Sequence, residues 1–424
     1  LSEPQDKTDS RASTIKRLLL RPPRGKVLDA ILLPILAVFT ALVIGALVIV
    51  FTDLEVLNLY KHFFSAPGKA LAASWKEVAS AYSAMFKGSI GDPAQFIKGF
   101  EALRATGDLA PLRQAFWPIS ESLVTSVPYI FAGLAVALGF QCGLFNIGVE
   151  GQIFIGAIAS VFVGYSITGL PAYIHVPLAF LAGAVAAGIW GGIAGLLKAK
   201  TGAHEVINTI MMNYIAFRLS DWLLRGPMKR PGYVPISPSI EHSARLPRFF
   251  ADPIRFHAGF FVALAVAALV YWLLFKTTIG FEIRSVGANP NAARYAGISV
   301  TRNFILAMFL SGALAGMAGA NEVLGVNYNL AAAFSSGYGF DSIALALLGK
   351  SHPVGVVLAA LLFGTLRSGA TRMQSLAGIP IDIISIIQAL VIIFIAAPAI
   401  IRWIYHLRVQ QEGAEAIFTR GWGT

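Results

Sequence analysis

The sequence predicts an all-α, polytopic membrane protein of about ten transmembrane segments in two related halves, and three observations predict it. The first is composition: of 424 residues, 56% are hydrophobic and only 13% charged, against roughly a quarter charged in an ordinary soluble domain. A chain so poor in charge cannot cover a water-facing surface and needs lipid as its solvent. Lipid admits only helices and closed barrels, because no water is present to satisfy free backbone groups. The second is segment length: apolar runs of about 20 residues without alternation suit helices crossing a core of roughly 30 Å, not barrel strands. The third is the supply of 41 glycines and many aromatic residues, as expected where helices approach closely and anchor at interfaces. The net charge of +11 then reads as topology and attraction to lipid headgroups, not as nucleic-acid binding. The single cysteine, Cys142, allows neither an internal disulfide nor a cysteine zinc site.

In chain order, residues 1–30 form a hydrophilic tail carrying Lys7, Arg11, Lys16, Arg17, Arg21, Arg24 and Lys26. The uncharged run 31–52 is too long for a signal-peptide core and lacks a small-residue cleavage site, so it reads as a retained first span. Residues 53–116 are amphipathic: Trp75, Val78, Ala79, Tyr82 and Phe86 recur at helical spacing, which predicts an external or interfacial segment. Further spans are expected at 118–140, 152–167, 176–197, 206–224, 256–275, 303–323, 353–367 and 379–401, with a short helix at 341–349. The basic tail and Arg402, Arg408 and Arg420 place both termini in the cytoplasm, which requires an even number of crossings. The division is then a cytoplasmic tail 1–30, a transmembrane domain 31–401 with an inside loop at 276–302, and a cytoplasmic tail 402–424. The same topology puts 225–255 outside, although it carries Lys229, Arg230, Arg245, Arg248 and Arg255, against the positive-inside tendency.

Catalytic and metal motifs are not found. Gly349-Lys350-Ser351 ends like a phosphate loop, but Ala344 stands where that motif needs its first Gly, and apolar helix surrounds it. His204-Glu205 lacks the second His of a zinc protease, and there is no Gly-x-Ser-x-Gly elbow. The expected catalytic and metal sets are both empty.

Polar residues inside apolar segments are the informative ones, because such groups are costly in lipid and turn toward the bundle interior. Two Gly-rich interruptions, GLFNIGVEGQ (143–152) and SSGYGFDSIALALLG (335–349), stand at corresponding places and point to a passage at a repeat interface. Asn146, Glu150, Gln152, Asn213, Asn321, Glu322 and Asp341 are the candidates to line it. Structural readings stand beside that one. Glu150 can satisfy freed N–H groups at a helix start. Asn213, one turn after Asn208, can bond between helices. Arg218 and Asp221 can pair on one helix face.

The loop TTIGFEIRSVGANPNAARYAGISVTRN (277–303) carries a complete start-and-stop code. Asn289 is a good N-cap, Pro290 suits the first helical position and Gly297 suits the stop. A short helix, Pro290–Tyr295, is predicted, flanked by Arg284 and Arg294. A preformed helix outside the membrane suits docking into another protein's groove.

Four ordered stretches, GLAVALGFQCGLFNIGVEGQIFIGA (133–157), TGAHEVINTIMMNYIA (201–216), FEIRSVGANPNAARYAGIS (281–299) and GYGFDSIALALLGKSHPVG (337–355), together resemble permease subunits of bacterial ABC importers of the ribose and branched-chain amino-acid type. Within that group the likeness is greatest to nucleoside importers. The resemblance implies a type II importer permease fold in the bacterial inner membrane and alternating access. It makes the segment from Gly287 to Gly297 a coupling helix seated on an ATPase. It implies that ATP and Mg reside on separate ATPase subunits, with no cofactor on this chain. The other implied partners are a second, different permease subunit, an extracytoplasmic substrate-binding protein and a small-molecule substrate. Sugar-importing relatives share much of the pattern, so a simple-sugar permease is the alternative. An ion-coupled transporter using Glu150 or Glu322 is a second.

Overall fold

The computed structural model describes residues 24–406, with only the backbone of 24–31 and of residue 396. The basic residues up to Arg21, and Arg408 and Arg420, lie outside the described residues. Among the described residues the chain is helical, and its only extended pairing is in two isolated bridges, Ile236 with Ala331 and Arg248 with His257.

The helices are α1 (Arg24–Thr52), α2 (Leu54–Tyr60), α3 (Pro67–Ile90), α4 (Pro93–Thr106), α5 (Ala110–Gln141), α6 (Val149–Ser166), α7 (Ala172–Thr201), α8 (Glu205–Arg225), α9 (Gly259–Lys276), α10 (Thr278–Ala288), α11 (Pro290–Tyr295) and α12 (Val300–Asn321). A π-helical turn, Glu322–Asn327, follows α12 directly, and then come α13 (Tyr338–Leu348), α14 (Pro353–Ala377), α15 (Asp382–Ala396) and α16 (Pro398–Ile404). Seven of these, α1, α5, α6, α7, α9, α12 and α14, are long and apolar enough to cross a membrane. Three of the expected segments fall short of that standard for separate reasons. α8 carries Glu205, Asn208, Asn213, Arg218 and Asp221 and is too polar. α13 has 11 residues. The segment expected at 379–401 is bent by 91° between α15 and α16, where Pro398 starts a new helix.

The stretch 53–116 is cut into three helices by its own capping residues. Asp53 accepts the Val56 N–H at 2.8 Å and Asp92 accepts the Ala94 N–H at 3.0 Å, while Pro67 and Pro93 begin their helices. α3 packs on α14 and α5 through Ala81, Ala84, Met85, Gly88 and Ser89. Trp75 and Phe86, on the face the aromatic spacing picked out, are exposed. Small residues allow closer approach than aromatic ones, so they take the inner face.

The core is built around α6, α7 and α12, which meet at glycines. A Cβ at Gly156 would lie 2.4 Å from the Gly316 Cα, and one at Gly316 would lie 2.4 Å from the Gly183 carbonyl oxygen. Backbones this close gain dispersion contact that larger side chains would prevent.

The basic loop between α8 and α9 lies over the π-helical turn. Leu246, Ile240 and Ser237 donate N–H bonds to the carbonyls of Leu324, Tyr328 and Leu330, each at 2.9 Å. Arg245 and Arg248 sit 4.6 and 5.2 Å from the centre of the Tyr328 ring, and Arg255 pairs with Glu121 on α5. Arg245, Arg248 and Arg255 of the loop are therefore engaged within the fold. His257 is buried with its ring against Gly325. Burial, and then the charges of Arg248 and Arg255, push its imidazole from 6.5 down to about 4.

Two outcomes follow from this packing. Gly156→Val should overpack the α6–α12 contact and cost about 1–3 kcal/mol, read as a lower thermal midpoint in detergent; an unchanged midpoint would mean the glycine contact is not needed. The Gly259 amide donates to His257 Nδ1 at 3.1 Å, and a depressed folded-state pKa means the folded loop resists protonation. Its docking should be at full strength above pH 6.5 and weaken as pH falls toward 4. Hydrogen exchange at Gly259, corrected for intrinsic rate, should accelerate over that window; a flat profile would contradict the assignment.

Candidate functional site

α6 begins directly after the first Gly-rich break, and its first N–H groups need partners that lipid cannot supply. Asn146 accepts the Gly148 N–H at 2.9 Å and donates to Gln152 Oε1 at 3.0 Å and to Ser311 Oγ at 2.8 Å. Asn213, reaching over from α8, accepts the Gly151 N–H at 2.8 Å and donates to the Ile147 carbonyl at 2.9 Å. Asn146, Gln152 and Asn213 are all buried.

Glu150 joins this break to the second one. Its carboxylate accepts the Ser335 hydroxyl at 2.5 Å and the Gly339 N–H at 2.6 Å. Gly339 lies in the first turn of α13, where unpaired N–H groups and the helix dipole favour a negative charge. A Cβ at Gly339 would come 2.3 Å from the Glu150 nitrogen, so the two breaks touch through backbone. Beside them, Tyr129 of α5 donates to Asp341 at 2.9 Å, and its ring meets Tyr338 edge-on at 5.0 Å. Five of the seven candidate lining residues thus gather where the breaks meet. Asn321 and Glu322 are elsewhere, at the junction of α12 with the π-helical turn. Both are buried, and neither amide atom of Asn321 has a hydrogen-bond partner. Arg255 lies within reach of Glu322: its guanidinium is held above its ordinary value by the bond to Glu121 first, with Glu322 adding to the effect.

Tyr129, Ser311 and Ser335 escaped the sequence reading. Ser335 lies within the second break, which was its signal. Tyr129 and Ser311 sit in apolar helices with nothing to set them apart.

The loop after α9 divides into an inward and an outward part. Arg284 donates to the Leu274 carbonyl at 2.9 Å and lies 5.1 Å from the centre of the Phe275 ring, closing the end of α9. Gly287 lies against the end of α5, where an added Cβ would be 2.2 Å from the Gln141 carbonyl oxygen. α11 has the expected bounds. Asn289 caps it by accepting the Asn291 and Ala292 N–H groups, each at 3.0 Å, and Gly297 leaves it at φ 81°. Only Ala293 of α11 is buried. Arg294 is exposed, and Tyr295, which sequence reasoning did not select, is 95% exposed.

Two grooves open away from the junction. One, of about 470 Å³, is lined on α8 by Tyr214, Ile215, Arg218, Leu219 and Trp222. The other, of about 350 Å³, lies between α4 and α5 and is lined by Gln95, Lys98, Ala110, Pro111 and Gln114.

Because bonds to a buried carboxylate are worth about 1.5–3 kcal/mol, Glu150→Leu should lower the melting temperature of the purified chain by several degrees. Glu150→Gln, which can still accept from Gly339 while donating to Ser335, should melt close to the unaltered protein. Equal melting of the Leu variant and the unaltered protein would remove the junction as a stabilising feature.

Comparison with known proteins bears on all of these elements. The family profile described as branched-chain amino acid transport system / permease component matches residues 119–396, a span that holds both breaks and the capped loop. The chain is 38% identical over 394 residues to the guanosine ABC transporter permease protein NupP of Bacillus subtilis (strain 168), covering 92% of this chain and 99% of that one. It is 36% identical over 312 residues to the nucleoside ABC transporter permease protein NupB of Lactococcus lactis subsp. cremoris (strain MG1363), covering 72% and 85%. It is 41% identical over 290 residues to the glucose ABC transporter permease protein TsgB13 of Haloferax volcanii, covering 65% and 75%. No solved structure matches. The family match takes in the helical core, and the likeness to NupP runs through nearly the whole of both chains. The chain therefore belongs to the permease-component family of the branched-chain amino acid transport systems and is a multi-pass membrane subunit of a transporter.

Proposed function

We propose that this chain is a permease subunit of an ATP-driven importer and carries nucleosides across a bacterial inner membrane by alternating access. The observation that carries the ATP-driven part is α11, a capped helix with one buried residue and an exposed Arg294 and Tyr295. Short helices of this kind fill grooves on partner proteins. The partner here is an ABC ATPase that holds ATP and Mg, so hydrolysis and cofactors lie off this chain. Nucleosides as cargo are supported by the names of NupP and NupB, which align over most of their length.

In this reading α8, α13 and the bent α15–α16 pair join the seven long helices to give about ten membrane segments, with both tails in the cytoplasm. In this reading the coupling residues divide by role. Asn289, Pro290, Arg294 and Tyr295 face the ATPase, and Gly297 ends the helix. Arg284 and Gly287 seat it on α9 and α5. A push on α11 then reaches α5 through the Gly287–Gln141 contact, and α5 carries Tyr129, which holds Asp341. Asn146, Glu150, Gln152, Asn213 and Asp341 hold the two breaks in register beside the passage, with Asn321 and Glu322 at its other end. A second, different permease subunit covers α8, the long helix least suited to lipid. A substrate-loaded binding protein docks over the loop between α8 and α9, where Lys229 and Arg230 are exposed and suited to steering an acidic surface.

A sugar cargo is the second reading, favoured by the 41% identity to TsgB13. Uptake of labelled guanosine challenged with other nucleosides or with glucose and ribose separates the two. An ion-coupled mechanism at Glu150 is disfavoured because both its oxygens are engaged by Ser335 and Gly339, and uptake that survives loss of the ATPase would favour one at Glu322.

Tyr295→Ala should remove an interface anchor and cut ATP-driven uptake at least tenfold, the loss typical of a buried aromatic hot spot. Membrane insertion and melting should stay unchanged. Asn289→Ala should have a smaller effect, because a lost cap costs about 1 kcal/mol. Arg284→Glu should instead lower the stability of the permease. Full uptake by the Tyr295 and Asn289 variants together would refute docking through α11.

A further inference from the structure

Three polar side chains beside the π-helical turn are buried without the partners that burial demands. Asn321, the last residue of α12, is fully buried, and neither its amide nitrogen nor its amide oxygen has a hydrogen-bond partner. Glu322 opens the π-helical turn, is 6% exposed and makes no hydrogen bond or ion pair among the described residues. Its neighbour Arg255 is committed to Glu121 instead. His257 is buried as well. Its Nδ1 accepts the Gly259 N–H at 3.1 Å, so Nε2 carries the proton of the neutral ring, and Nε2 is unpaired. The groups share one place. A Cβ at Gly259 would collide with both Asn321 Oδ1 and His257 Cε1, and one at Gly325 would lie 2.8 Å from His257 Nε2. His257 thus spans the turn that Glu322 opens.

Unpaired buried polar groups cost stability, and native folds keep few of them. Here they gather at one point and supply a complete set: a carboxylate and an amide oxygen to accept, an amide NH₂ and an imidazole N–H to donate. π-Helical turns occur mostly at functional sites. Glu121, the partner of Arg255, stands eight residues before Tyr129 on α5, a rise of about 12 Å, so the set lies near the junction of the two breaks. We infer that Asn321, Glu322 and His257 form a subsite for the vicinal diol of a ribose, an inference that rests on the importer reading above and deepens its cargo. A carboxylate only accepts, and two adjacent hydroxyls can donate to its two oxygens, as ribose does to acidic residues in dinucleotide sites. The same hydroxyls accept from the Asn321 amide and the His257 Nε2–H. Both cargo readings, nucleoside and sugar, share this pair of hydroxyls. The groups are enclosed under the loop between α8 and α9, which Leu246, Ile240 and Ser237 bond to the turn and the residues after it. The diol therefore enters as that loop lifts and is held as it closes.

The test is uptake by the complete importer in proteoliposomes, with its binding protein saturated in turn with guanosine, uridine and their 2′-deoxy forms. Saturation makes the selectivity read the permease's own. Both ribonucleosides should be carried about tenfold or more faster than their deoxy forms, because a missing hydroxyl leaves a buried carboxylate oxygen unpaired. Asn321→Leu and Glu322→Leu should bring each pair within about twofold. If these variants carry nothing, Glu322→Gln, which keeps one acceptor, should still carry and show a reduced preference. Melting of the purified importer is read alongside. Asn321→Leu should melt no lower than the unaltered protein, because it removes an amide that has no partner to lose. A lower midpoint, or failure of that variant to assemble, would make the amide structural and overturn the subsite. So would equal uptake of ribo and deoxy forms by the unaltered importer, or a preference that survives undiminished in the variants. Loss of guanosine uptake with uridine unchanged would place a base edge there and overturn it too. These results leave the nucleoside reading intact. Uptake of ribose but of no nucleoside would end that reading instead. A preference for ribose over 2-deoxyribose, lost in the same variants, would then still support the subsite, and its absence would overturn it.

Discussion

The fold depends on how the Glu150 carboxylate is satisfied. Two helices start inside an apolar bundle, at the breaks before α6 and α13, and every helix start leaves N–H groups without partners. In water these would be hydrated. In a membrane each would cost several kcal/mol. Glu150 meets this constraint for α13 with one oxygen on the Gly339 N–H and the other on Ser335, while Asn146 and Asn213 meet it for α6. The carboxyl group is held in place there because a helix N-terminus and a hydroxyl converge on it. The two breaks are thereby held in register, since the start of α13 is satisfied by a side chain of the first break.

That register is set against a rigid background. The glycine contacts among Gly156, Gly183 and Gly316 bring α6, α7 and α12 together at backbone distance, so α6 cannot shift without moving its neighbours. Motion between the two breaks therefore has to enter through α5, α13 or α14, and α5 is the helix that both touches the capped loop at Gln141 and holds Asp341 through Tyr129.

The parts of this structure that were legible in the sequence are those fixed by local chemistry. Asn289 followed by Pro290 gave α11 its start because an Asx side chain and a proline ring each act within one turn. The long apolar helices were legible from the thickness of a membrane. What failed to show was decided by distant neighbours. The aromatic spacing of Trp75 and Phe86 suggested an interfacial segment, and both rings are exposed, but it did not show that the small residues of α3 pack on α14. Arg284 looked equivalent to Arg294 in sequence, yet it folds back on the Leu274 carbonyl. Nor does the sequence show that Tyr328 and Glu121 stand beside the arginines of the 225–255 loop. Nor does spacing tell that Asn213 bonds α6, since its partner lies 62 residues away.

The polar residues of the bundle fall into two classes that sequence treats alike. Asn146, Asn213 and Glu150 have their hydrogen-bonding capacity met from within the chain, so a ligand would have to displace a bond already made, at the full cost of leaving a buried group unpaired. Arg218, Arg294 and Tyr295 present theirs outward, where a new contact displaces only water. The inner set fixes a geometry through bonds made within the chain, and the outer set leaves side chains exposed. Mutations in the inner set should therefore act first on stability and those in the outer set first on affinity, because only the outer groups are free to make contacts the isolated chain does not already make.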